Sequence, residues 1–195
     1  MKSIFVLLLT LLTLYTHHSQ AQGLSHGADD LPFGDLTDHP ENYSPGSVAA
    51  RMVESLGFRY RYATQGLREA DFGFKVEADA RTIRETMEHI YGLSTVIRTA
   101  VIDDHYTKKN ELSPAEARKE TLRLLKEVYD RLLEMDAAAL EKISIRGTHS
   151  FWVLINGPLV DAIWHSGQIA TLRRANGNPM PKGVNVFLGK YEGKE

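Results

Sequence analysis

The sequence predicts an all-α fold, an antiparallel four-helix bundle. Three observations lead there. Apolar residues recur at intervals of three and four in four separate stretches, the period of a helix with one buried face. Two of those stretches open with a cap residue followed by proline, the arrangement that starts a helix. The remainder shows no internal repeat and implies no sheet.

The first stretch opens at Ser44-Pro45, and Met52, Leu56, Tyr60, Ala63 and Leu67 follow on one face. The second is expected from about 79 to 102, with Ile83, Ile90, Ile97 and Val101 in line. The third begins at Ser113-Pro114-Ala115-Glu116, where cap, first-turn proline and capping-box glutamate coincide. Its stripe is Thr121, Leu124, Leu125, Val128, Leu132 and Met135, and its other face is charged. The fourth spans about 151 to 175, with Gly157-Pro158 kinking or restarting it and Asn176-Gly177 and Pro179 ending it. Four such helices cannot bury their stripes singly, and a shared core is the usual solution. The tail from 178 to 195 carries Val184, Val186, Phe187 and Leu188, enough apolar surface to pack along the bundle.

Residues 1–21 have the layout of a secretory signal peptide. Lys2 gives a positive start, Ile4 to Leu14 form an apolar run, and Ser19-Gln20-Ala21 places small residues at a cleavage site. A run this short falls well below the roughly 20 residues of a transmembrane helix. Residues 22–43, rich in Gly, Asp, Pro and His, read as a flexible leader, with His26 and His39 solvent-exposed. The bundle domain is expected over 44–190 and a short C-terminal tail over 191–195. The expected mature protein is exported, periplasmic or secreted, with no integral membrane segment after cleavage.

Composition excludes several function classes. The 195 residues include 23 Lys+Arg against 25 Asp+Glu, a net charge of −2 that makes no case for nucleic acid. The basic and aromatic Phe58-Arg59-Tyr60-Arg61-Tyr62 does not alter this, because on a helix those five side chains spread around the cylinder. The chain has no cysteine, which removes disulfides, thiolate metal sites, cysteine nucleophiles and lipid attachment through sulfur. G-x-S-x-G, Walker, G-x-G-x-x-G and H-E-x-x-H motifs are absent.

The informative residues are polar ones on the helical stripes, because a bundle core should be apolar. His89 lies beside Ile90 on the second stripe. Asp161, His165 and Gln168 stand at i, i+4 and i+7, in line with Ile169 and Leu172. A buried aspartate needs a cation, a protonated histidine or a metal ion beside it. Two imidazoles and a carboxylate from two helices make an N,N,O set suited to Zn, Ni, Mn or Fe, with Gln168 orienting a ligand from behind. By periodicity alone, a hydrogen-bonded Asp161–His165 pair with a satisfied core His89 is the commoner outcome. His149 and His105 read as surface residues. Trp152 and Trp164 suit either an apolar substrate wall or core packing.

The block Asp161-x-x-x-His165-x-Gly167-Gln168, set in Ile155 to Ile169, resembles the last-helix signature of the DinB/YfiT-like superfamily. The resemblance continues through Leu172-Arg173-Arg174, Gly177-Asn178-Pro179 and Asn185 to Lys190, and Glu88-His89-Ile90 matches the family's second-helix histidine. It implies a bundle, often a homodimer, holding a divalent metal on His89, Asp161 and His165. Better-known members carry three histidines, and Asp161 stands where one of them would be. Some relatives resemble thiol-dependent S-transferases. The expected activities are therefore metal-dependent hydrolysis or transfer on an unknown small molecule, the alternative being a non-enzymatic metal- or small-ligand-binding bundle. No catalytic residue is assigned beyond the metal set.

Overall fold

The computed structural model describes residues 30–40, 43–102 and 104–193. The expected signal peptide, residues 22–29 and the chain's last two residues lie outside the described residues. The protein is mainly helical. Its long helices are α1 (Pro45–Thr64), α3 (Ile83–Ile102), α4 (Pro114–Leu133) and α7 (Val160–Ala175), with short α2 (Glu69–Phe72), α5 (Ala137–Glu141) and α6 (Phe151–Leu154) between them. Among the described residues, no helix is long and apolar enough to cross a membrane.

Helices α1 and α4 start where cap chemistry starts them. Ser44 Oγ accepts from the Ser47 amide and Ser47 Oγ from the Ser44 amide, each at 3.0 Å. Ser113 and Glu116 form the same reciprocal box. Helix α3 begins at Ile83, four residues later than expected, because Thr82 and Glu85 form a box of their own: Thr82 N–H donates to Glu85 at 2.8 Å and Glu85 N–H to Thr82 Oγ1 at 3.1 Å. Asp79 belongs to the loop ahead of it.

Helix α4 packs on α1 and α3, and α7 packs on the same two. Between them lie Leu56, Tyr60, Ile83, Ile90, Ile97, Leu125, Val128, Leu159 and Ile169, all buried as the stripes require. Each such aliphatic side chain removed from water contributes about 1.5–3 kcal/mol. Where α1 meets the end of α4 the backbones touch. A Cβ at Gly46 would fall 2.2 Å from the Met135 carbonyl oxygen, so no other residue fits there without displacing main chain.

The end of α1 is closed by two buried arginines. A helix leaves its last four carbonyls without helical partners, and here all four have donors. The Arg61 carbonyl takes the Gln65 amide at 2.9 Å and the Arg118 guanidinium at 3.3 Å. Those of Tyr62 and Ala63 both take Arg173 Nη1, at 3.2 and 3.0 Å, and that of Thr64 takes the Leu67 amide. Arg173 also reaches the Gln65 carbonyl at 2.7 Å and, through Nε, the Asn178 carbonyl at 2.7 Å. Burial pulls the Arg173 pKa down to about 10, so it stays charged at neutral pH. Beside it Asp71, fully buried, accepts from Arg68, Asn176 and Asn178. Burial alone would raise the carboxyl; those hydrogen bonds outweigh it and hold Asp71 well below the usual range.

Three expectations need correction. Residues 31–38, expected within a flexible leader, are strapped across α1. The Phe33 ring is buried against Gly57, where an added Cβ would strike it, and adopts φ +67 to get there. Tyr62 Oη donates to the Gly34 carbonyl at 2.7 Å, Thr37 N–H to Glu54 at 2.7 Å, and Leu36 N–H to the Gly189 carbonyl at 2.8 Å. Second, the chain does form sheet, as two ladders of two residues per strand: β1 (Ser144–Ile145) with β2 (His149–Ser150), and β3 (Val184–Asn185) with β4 (Lys190–Tyr191). Third, Tyr191, assigned to the tail, stacks on Tyr62 at 5.1 Å, while Phe187 and Leu188, expected to pack, are exposed.

Candidate metal centre

The segment 151–175 is continuous. Between α6 and α7 the residues Ile155–Leu159 form one π-helical turn, with the Val160 amide donating to the Ile155 carbonyl five residues back. Pro158 lies inside it and has no amide to offer, and the wider turn removes the clash that proline would make in an α-helix. The turn sets the rotational phase of α7, and with it the direction of Asp161 and His165.

Leu159 at the end of the π turn and Ala162, Ser166, Ile169 and Leu172 of α7 face the core. Asp161, His165 and Gln168 lie beside that line, not on it. The spacing predicts them on the buried stripe, because Ala162 and Ser166 are too small or too polar to register as an apolar row. The outcome is a site at the edge of the α3–α7 contact. The side chains of His89, Asp161 and His165 are 32%, 41% and 12% exposed.

The structure does bring these three residues together. One ligand atom from each lies within 4.8 Å of the others, a grouping that can hold a metal ion. His89 Nε2 is 3.1 Å from Asp161 Oδ2, and His165 Nε2 is 3.3 Å from Asp161 Oδ1. The two imidazoles meet edge to face, with centroids 4.7 Å apart and planes at 89°. Gln168, the expected supporting residue, is in place: His165 Nδ1 donates to its Oε1 at 2.6 Å.

That last contact carries a chemical consequence. With its proton on Nδ1, His165 directs the Nε2 lone pair at a carboxylate oxygen 3.3 Å away, and two acceptors face each other. A metal ion or another cation between or beside them would relieve that contact. Arg81, from the loop before α3, supplies part of that positive charge, with Nη1 3.4 Å from His165 Nε2. Arg81 was not singled out from the sequence. Nothing local marks it, since the contact spans 84 residues.

The donor set fits a divalent ion. Two neutral imidazoles and one carboxylate suit a borderline metal, and a glutamine behind His165 Nδ1 fixes the tautomer that leaves Nε2 free to coordinate. Three protein ligands leave coordination positions over, and the exposed flank of Asp161 opens them to solution.

Neither tryptophan is packed in the core. Trp152 and Trp164 are 77% and 69% exposed. Trp152 borders an apolar groove of ≈ 480 Å³ with Val48, Met52, Leu140, Phe151 and Ile155, and none of the three candidate ligands lines it. His105 and His149 are exposed, as read from the sequence.

Compared with known proteins, the chain matches no family model, no curated protein and no solved structure.

Proposed function

We propose that the chain is an exported protein of the DinB/YfiT-like superfamily, an antiparallel four-helix bundle that uses a divalent metal on His89, Asp161 and His165 for hydrolysis or group transfer on a small molecule, as a homodimer. The observation that carries the proposal is the approach of those three ligand atoms to within 4.8 Å of one another on two helices. Gln168 supports it by fixing the His165 tautomer. A bound divalent ion would supply Lewis acidity toward an oxygen or sulfur of the substrate.

The residues themselves divide the remaining work. One Asp161 oxygen faces each imidazole, Oδ2 at 3.1 Å from His89 Nε2 and Oδ1 at 3.3 Å from His165 Nε2. Gln168 keeps the His165 proton on Nδ1. The exposed side of Asp161 admits substrate, which favours exchange with solution over a closed structural site. Export favours hydrolysis over transfer from a low-molecular-weight thiol, since such thiols are kept reduced mainly in the cytosol.

Elemental analysis of protein purified without a histidine tag, beside Asp161→Ala, tests the centre. The expected result is near-stoichiometric Zn, Ni, Mn or Fe that disappears in the variant, with helical circular dichroism unchanged. Full metal occupancy in Asp161→Ala, or a wild type that ignores added metal, overturns the proposal.

A further inference from the structure

Arg81 has an unusual set of neighbours. It immediately precedes Thr82, whose reciprocal bonds with Glu85 fix the backbone at the start of α3. It stands in the loop eight residues ahead of His89, and its Nη1 lies 3.4 Å from the candidate ligand atom His165 Nε2. Among the described residues, no carboxylate lies within ion-pair distance of Arg81. Glu85 is the acid next along, but its Oε2 already accepts from both the amide and the hydroxyl of Thr82. Among the described residues, the side-chain hydrogen bond that Arg81 makes is to His165 Nε2, at 3.4 Å, longer than a well-formed one.

A cation on His165 Nε2 would take the lone pair that Arg81 now approaches, and the two positive charges would repel. Arg81 would give up that nitrogen at little loss, because the contact is long and the residue is exposed. It would then stand beside a net-positive centre with all its donors free. A guanidinium in that position matches the paired oxygens of a carboxylate or phosphate, which accept from two of its N–H groups at once.

We propose that Arg81 is a substrate-recognition residue, and that the ligand of this centre is a small molecule bearing an anionic oxygen group, held by Arg81 on the open side of Asp161. This rests on the metal reading above. It extends that reading from a centre of unspecified ligand to one selective for anions.

Cobalt(II)-loaded full chain provides the test, because the visible spectrum reports ligand binding without any turnover. Metal stoichiometry is measured first in wild type and Arg81→Gln. Both are then titrated with acetate, inorganic phosphate and neutral imidazole. The expected result is equal cobalt content, a loss of at least about ten-fold in affinity for one or both anions in the variant, and unchanged imidazole affinity. Equal anion affinity in the two proteins overturns the inference, as does an imidazole affinity that falls as far as the anions'. Loss of cobalt in Arg81→Gln also overturns it, assigning Arg81 to support of the ligands. A wild type that takes up no cobalt overturns the metal reading itself, and the two failures are thereby told apart.

Discussion

Replacing Arg173 with methionine keeps most of the apolar stem and removes the guanidinium. In the native fold that group donates to the carbonyls of Tyr62, Ala63, Gln65 and Asn178 at 2.7–3.2 Å, and the residue is 1% exposed. The carbonyls of Tyr62 and Ala63 are two of the four at the end of α1 that have no helical partner. Methionine would leave both facing a thioether. Each buried acceptor stripped of its donor costs about 1–3 kcal/mol, and the relief of no longer burying a charge offsets part of this. The expected net loss is about 3–5 kcal/mol, near the top of the range for single substitutions and a large share of a total of about 5–15 kcal/mol. Urea unfolding followed at 222 nm measures it as a lower midpoint at unchanged slope. Arg173→Lys should recover only part, because one ammonium cannot reach both the α1 terminus and Asn178. A loss below about 1 kcal/mol for Arg173→Met would refute the argument, showing that water replaces the guanidinium without penalty.

Two further outcomes follow from the same geometry. Gln168→Leu should retain the fold but weaken metal binding by about 10–100-fold, read by competition with a chromophoric chelator; unchanged affinity would mean that Gln168 does not set the His165 tautomer. On the acid side, Asp71 and Glu120 both have folded-state pKa values below their ordinary ones, Glu120 at about 2 through Arg123, Tyr106 and Lys109 against the opposing effect of burial. Their contribution is complete above the unfolded values, near 4, and is lost as pH falls through the folded ones. Stability measured in urea should therefore fall between about pH 4.5 and 2, and Asp71→Asn should flatten that limb while lowering stability at neutral pH.

Much of the helical frame was legible because helix starts are written in short-range chemistry. Ser44-Pro45 and Ser113-Pro114 name their helices almost to the residue. Thr82-x-x-Glu85 carries the same kind of signal, and weighing it above the apolar period would have moved the second start to its observed place. The candidate ligands were legible as residue types at helical spacing. Their depth was not, since one step around α7 separates the core line from its shoulder, and small residues on the core line hide which is which. Arg81, Arg118 and Arg173 were out of reach for another reason. An arginine in a sequence reads as solvated, and only the return of distant chain segments shows that two of these are buried against α1 and the third leans on His165. The strap of 31–38 was missed likewise, because its hold depends on Gly57, Glu54 and Gly189, each remote in sequence.

The π turn at 155–159 works as a gear of fixed ratio. One residue more than an ordinary turn rotates everything downstream by about 100°, while the axis carries on almost unbroken. Upstream, Phe151 and Ile155 keep their faces toward the apolar groove; downstream, Asp161 and His165 meet His89. A single uninterrupted α-helix could not align both ends at once. The candidate centre is thus tuned by chain length in a turn that contributes none of its three side chains, and removing one residue there would turn Asp161 and His165 away from His89 without altering any of them.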